Sequence, residues 1–323
     1  MAFEKIVIVM LENSLRSDVI KNQYMSDLRQ QGVFLSNSHG VTHPSQPNYI
    51  LSIAGDNFGI SSDEPGYVQW LVDPTKIEHT KPVTSIVDLL EAHDLTWRAY
   101  AEDMRPDYKD EINTAYPYTP IPPDNKPSII PTDEGGSGIP EEKGHFARKH
   151  VPFLSFPNII SNPQRLANIV DGKQFEIDLA EGNLPHYSWY TPNMMNDGHN
   201  VTIDELAEAA KIKVKDGPDA AQAYLKAQRI NHIATFLQGF LSDDPISKFP
   251  PETLIVITFD EAYPYFAPYE IYTLLIGDML QAGTRRRAPY NHYSLLRSVE
   301  LNFGLGTLKR NDATAIPYWF LRP

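Results

Sequence analysis

Two uninterrupted apolar runs dominate the hydrophobic pattern: Ile6 to Met10 reads IVIVM and Leu254 to Phe259 reads LIVITF. Runs this short and this continuous are buried on both faces, which is how strands of a parallel sheet read. Further strand-like runs fall near Thr96 to Ala101, at His186 to Tyr190 and at Tyr272 to Ile276. Between them the apolar spacing turns helical, as in Val83 to His93 and Ala220 to Leu241. Strands alternating with helices predict an α/β fold, a mainly parallel sheet flanked by helices on both faces. A chain of 323 residues, 41% hydrophobic, can bury one large core or two modest ones, and we read residues 1–323 as one large domain. The stretch 107–142 interrupts the alternation. Prolines, glycines and acids concentrate there, with Pro117, Pro120, Pro122, Pro123 and Pro127 as stiffeners, and it reads as an irregular insertion or lid.

Polar residues end both long runs. Glu12-Asn13 follows the first and Asp260-Glu261 follows the second. Ligands of open α/β sheets bind at the carboxyl ends of the strands, so a carboxylate and a carboxamide there suit a hard divalent cation; an ordinary helix cap explains Glu12-Asn13 equally well. If the two strands are neighbours, Glu12, Asn13, Asp260 and Glu261 converge, and the mutual repulsion of their carboxylates calls for a cation. Ligand hardness favours magnesium, calcium or manganese.

A second signal is Val41-Thr42-His43-Pro44-Ser45-Gln46-Pro47-Asn48-Tyr49. Pro44 and Pro47 restrict the backbone around Ser45, and Asn48 to Ala54 can continue as a helix whose first amides point at an anion bound there. A capped helix start is the plainer alternative. Three histidines lie in polar, turn-rich contexts. His150 follows Arg148-Lys149, which suits an anion pocket or a solvated basic loop. His199 closes a turn that also holds Asp197, a pair able to serve a metal or orient a proton donor. His292 opens an amphipathic segment where capping alone would explain it.

Composition narrows the partners. A formal charge of −13 disfavours nucleic acid and anionic membranes, which reward clustered positive charge. Arg285-Arg286-Arg287 is the one dense basic run, a seat for a distal substrate phosphate or simply a solvated loop. The absence of cysteine removes disulfides and thiolate metal sites together. No run reaches the length of a membrane span, and Met1 to Lys5 leads directly into the first strand; we expect a cytoplasmic protein, although a signal trimmed from the sequence would leave the same start.

In order along the chain, Glu12-Asn13, Thr42 to Tyr49 running into Gly55-Asp56-Asn57-Phe58-Gly59, Arg98 to Glu102, Lys149 to Phe153, Tyr190 to His199, Thr258 to Glu261 and Asn291 to Arg297 resemble one family. It is the phosphoesterase family of acid phosphatases and phosphatidylcholine-type phospholipases C, within the alkaline-phosphatase-like superfamily. The resemblance implies an alkaline-phosphatase-like fold and a metal-dependent phosphoric ester hydrolase. In it Ser45 is the nucleophile, passing through a phosphoserine, and Glu12, Asn13, Asp260 and Glu261 hold a divalent ion, zinc being a further choice in this superfamily. His150 and His199 contact the phosphate or the leaving group, while Asn48, Lys149 and His292 bind substrate. A small phosphomonoester is the first substrate class. A phospholipase C-type diesterase acting on a phospholipid is the second, and a non-catalytic binder of phosphate ligands the third. Where family members carry a glycine-rich turn after Asp-Glu, loop 262–270 is aromatic and proline-rich.

Overall fold

A computed structural model describes residues 1–63, 83–104, 146–263, 269–318 and 320. The insertion expected over 107–142 lies outside the described residues, as do 264–268 of the loop after Glu261.

The strands are β1 (Lys5–Leu11), β2 (Val33–Leu35), β3 (Ser38–His39), β4 (Trp97–Ala101), β5 (Ile169–Asp171), β6 (Tyr187–Thr191), β7 (Thr253–Phe259), β8 (Glu270–Ile271), β9 (Thr273–Ile276) and β10 (Thr284–Arg286). Eight of them form one sheet in the order β10-β2-β9-β7-β1-β6-β4-β5, and β3 pairs with β8 in a separate ribbon. Within the sheet β9 alone runs against its neighbours β7 and β2; the remaining pairs are parallel. The two apolar runs become the central pair, β1 and β7, in register from Lys5 opposite Thr253 to Leu11 opposite Phe259. Tyr272, expected in the same strand as Ile276, leaves the ladder and donates its hydroxyl to the Met25 carbonyl at 3.0 Å.

Period-two alternation splits the apolar side chains of β1 between two cores. Ile6, Ile8 and Met10 face one layer, Val7, Val9 and Leu11 the other, and all are buried. Each such side chain contributes about 1.5–3 kcal/mol on burial. On the first face lie α1 (Ser45–Ala54), α2 (Ile86–Glu91) and α6 (His292–Phe303); on the second lie α3 (Lys173–Ala180) and α5 (Pro218–Leu241), with α4 (Ile203–Asp216) beside α5. The sheet is therefore covered on both faces, as expected. Among the described residues no helix is long and apolar enough to cross a membrane.

One staple bears on the site. Gly55 ends α1 in the left-handed conformation (φ 73°) that glycine adopts freely, and its carbonyl accepts from Asn311, while Arg310 Nη1 donates to the Ala54 carbonyl at 2.7 Å. Asp312 fixes that clamp by accepting from the Leu308 and Arg310 amides, and buried Glu300 stands beside it. Burial first, then the charge of Asp312, pushes the Glu300 carboxyl up to about 8. The folded chain thus keeps a proton that the unfolded chain releases above the ordinary carboxylate range. This contribution to stability is complete at acid pH and is lost as pH rises toward 8. Denaturant melts from about pH 5 to about pH 8.5 should show the native chain losing at least about 1 kcal/mol that Glu300→Gln does not lose.

Candidate active site

The β1/β7 register delivers the two acid pairs to one sheet edge. Asp260 N donates to the Leu11 carbonyl at 2.9 Å, and Glu12 N donates to the Asp197 carbonyl at 2.8 Å, which draws the turn after β6 to the same point. Asn13 sits in the left-handed region (φ 49°), tolerated by asparagine, and from there its N–H reaches Asp260 Oδ1 at 3.0 Å while its side-chain amide donates to Glu12. Glu12, Asp197, Asp260 and Glu261 are fully buried. Burial, then Asp260 and Asp197, pushes the Glu12 carboxyl well up. Burial likewise raises Asp197, brings Asp260 up to about 6 and, with Asp260 beside it, brings Glu261 up to about 9. Four carboxyls are thereby packed with too little positive charge among them.

Ser45 stands at the first position of α1, not ahead of a helix starting at Asn48, because Pro44 takes the extended capping conformation and Pro47 fits the first turn without a donor. Its buried hydroxyl lies 3.0 Å from Glu12 Oε2 and 3.3 Å from Glu261 Oε1, either of which accepts a hydrogen bond from it and, once ionised, can accept its proton. Asn48 is buried with its side chain spent on the backbone: Oδ1 accepts from the Val41 and Thr42 amides, and Nδ2 donates to the Thr42 and Pro44 carbonyls. It shapes the loop that presents Ser45. His43, given no role from sequence, pairs through Nδ1 with Glu261.

His150 is fully buried, its ring stacked on Tyr49 at 5.0 Å, with Nε2 3.1 Å from Glu12 Oε1 and Nδ1 3.1 Å from Asp197 Oδ2. Burial, then Lys149 and His199, pushes its imidazolium well down. His199 lies on the open side of this row, half-buried, its ring 5.9 Å from that of His150. Its amide donates to Asp197 Oδ1 at 2.7 Å, and burial brings its pKa down to about 4. Lys149 Nζ reaches Asp63 Oδ2 at 3.0 Å. His292 is buried behind the acids, Nε2 2.5 Å from the Asp260 carbonyl; burial brings it down to about 4, so it is a neutral imidazole donating its Nε2 proton. That position makes it a support of the Asp260 backbone.

Between Asp197 and His199, Gly198 holds φ 91°, and a Cβ there would lie 2.5 Å from Ile233 Cδ1 on α5. Gly198→Ala should cost about 2–3 kcal/mol in thermal or denaturant melts and lower activity by displacing both neighbours.

Among the described residues no three histidine, cysteine, aspartate or glutamate side chains are arranged to hold a metal ion. The oxygens nonetheless fit one. Among the described residues Asn13 Oδ1 and Asp260 Oδ2 are buried without a hydrogen-bond partner, and Glu12 Oε1 faces the imidazole of His150 at 3.1 Å, off hydrogen-bond alignment. Hard oxygens beside surplus buried negative charge are the donor set of a hard divalent cation.

A profile described as the Phosphoesterase family matches residues 16–306. A probable acid phosphatase of Kluyveromyces lactis is 30% identical over 97% of the chain, which spans 61% of that relative's length. A phosphatidylinositol-3-phosphatase of Mycobacterium tuberculosis is 24% identical over 94% of the chain and 78% of its own length. Among solved structures, the lipoteichoic acid synthase LtaP of Listeria monocytogenes superposes with a TM-score of 0.54 at 12% identity, covering 99% of this chain and 77% of that one, a likeness of fold.

Proposed function

Since the chain belongs to the Phosphoesterase family, we propose that it is a phosphoric ester hydrolase of the acid phosphatase type, with Ser45 as nucleophile. The observation that carries this reading is the Ser45 hydroxyl, buried at the start of α1 within 3.0 Å of Glu12 and 3.3 Å of Glu261. A serine at a helix N-terminus faces amide donors suited to phosphoryl oxygens, and a carboxylate at hydrogen-bond distance can take its proton.

Ser45 Oγ attacks phosphorus, its proton passing to a neighbouring carboxylate, and the bond to the leaving oxygen breaks with its electron pair on that oxygen. The departing alkoxide takes up the proton that the carboxyl received from Ser45, with His199, a neutral imidazole held through Nδ1 on Asn200, lining the site beside it. Water then attacks the phosphoserine, the Ser45 oxygen recovers a proton, and inorganic phosphate leaves. His150, between Glu12 and Asp197 and stacked on Tyr49, packs behind the carboxyl that faces Ser45. Glu12, Asn13, Asp260 and Glu261 would hold a divalent cation, which when bound offsets their charge and polarises the serine and phosphoryl oxygens.

Phosphomonoesters are the first substrate class, in line with the acid phosphatase name of the fungal relative. A phosphoinositide headgroup is a second candidate on the name of the mycobacterial relative. The test is hydrolysis of p-nitrophenyl phosphate beside bis-p-nitrophenyl phosphate, on chelated protein refilled with single metals. Preference for the monoester supports the phosphatase reading; preference for the diester replaces it with the phospholipase C type.

A further inference from the structure

Asp63 has no part in the reaction above, yet it sits on the donors nearest the nucleophile. Its Oδ1 accepts from the backbone amide of Gln46, the residue after Ser45, at 2.9 Å, and its Oδ2 lies 3.0 Å from Lys149 Nζ. The Gln46 side chain, fully buried, donates to the Ser62 carbonyl at 3.0 Å and ties the 62–63 segment to the first turn of α1. The negative charge of Asp63 reaches Asp260, Glu261 and His199, so it faces the same cluster as Ser45. A further carboxylate beside those acids is repelled by them; Lys149 and one amide retain it.

An amide in the first turn of a ten-residue helix together with a lysine ammonium is a donor pair for two oxygens of one anion. A carboxylate and a phosphoryl group present such oxygens alike. The seat is also built for exchange: the Asp63 side chain is 31% exposed while that of Lys149 is 11% exposed, so the carboxylate can turn to solvent and leave both donors in place.

We propose that Asp63 is an internal competitor for the substrate. Gln46 N–H and Lys149 Nζ form the seat of the incoming phosphoryl oxygens, Asp63 holds that seat between turnovers, and its displacement sets KM and the affinity for product phosphate. The inference rests on Ser45 being the site of phosphoryl transfer.

The experiment is titration calorimetry of inorganic phosphate on metal-loaded protein, with steady-state kinetics on p-nitrophenyl phosphate alongside. Asp63→Asn, which keeps the shape and removes the charge, should bind phosphate about tenfold tighter, the scale of one charge-assisted hydrogen bond no longer displaced, with KM falling in parallel. Lys149→Ala should weaken phosphate in both the native and the Asp63→Asn backgrounds. Unchanged or weaker phosphate binding by Asp63→Asn would overturn the proposal. So would a collapse of kcat at constant KM, which would make Asp63 a reacting group. Calorimetry needs no turnover: tighter phosphate binding by Asp63→Asn than by a native chain that hydrolyses nothing would uphold the seat and remove only the hydrolase reading.

Discussion

Ser45→Ala should lower the turnover of p-nitrophenyl phosphate by at least roughly ten-thousand-fold while the protein remains folded. The side chain lost is small, and its hydroxyl meets the carboxyls of Glu12, Glu261 and Asp260. Alanine is the better helix former, and Pro44, Pro47 and the Asn48 brace still shape the turn. What disappears is the attacking oxygen. Nucleophile knockouts in covalent mechanisms leave only the acceleration due to binding and oriented donors, a few powers of ten above water. KM should move much less than kcat, because the Gln46 amide and Lys149 survive the change. Stopped-assay kinetics with a thermal melt on the same sample checks both halves.

Removing divalent cations should be nearly as severe, lowering hydrolysis by at least about a thousandfold. Magnesium, calcium or manganese should restore it better than zinc, because the atoms proposed to hold the ion, on Glu12, Asn13, Asp260 and Glu261, are all hard oxygens. Stripping the ion should also lower the melting temperature, since a ligand at a hundredfold excess over its Kd stabilises by about 2.7 kcal/mol. The pH dependence has a definite sign. Without the ion Asp260 holds its proton up to about 6 and Glu261 up to about 9, so binding must release protons. Cation affinity therefore rises between about pH 6 and pH 9 and falls in acid, which calorimetry at several pH values would show as proton release.

The sheet centre was legible because β1 and β7 are buried on both faces, and continuous apolar runs leave few alternatives. Their shared edge followed from that, bringing Glu12, Asn13, Asp260 and Glu261 together. The direction of β9 was not legible, since side-chain alternation is the same in parallel and antiparallel strands. Three-residue β2, β5 and β10 are too short to show a period. Ser45 and His150 stood out from local context. Two of their partners did not: Asp63 and His43 enter through the Gln46 amide and Glu261, contacts made only after the sheet assembles, while Asp197 was read beside His199 but not as the partner of Glu12 and His150. The dipeptide spacing of His43 and Ser45 was the one sequence hint. The backbone hydrogen bonds of Asn48 and His292 were equally out of reach of the sequence, because they too form only in the assembled fold.

The most direct test of the account is to trap the covalent intermediate. Protein mixed with p-nitrophenyl phosphate is quenched in acid on the timescale of the first turnover, digested, and mapped by mass spectrometry. A phosphoryl group should appear on Ser45, in amounts that match the burst of p-nitrophenol. A burst with the phosphoryl group on another residue, or steady hydrolysis with Ser45 unmodified at every quench time, would contradict it.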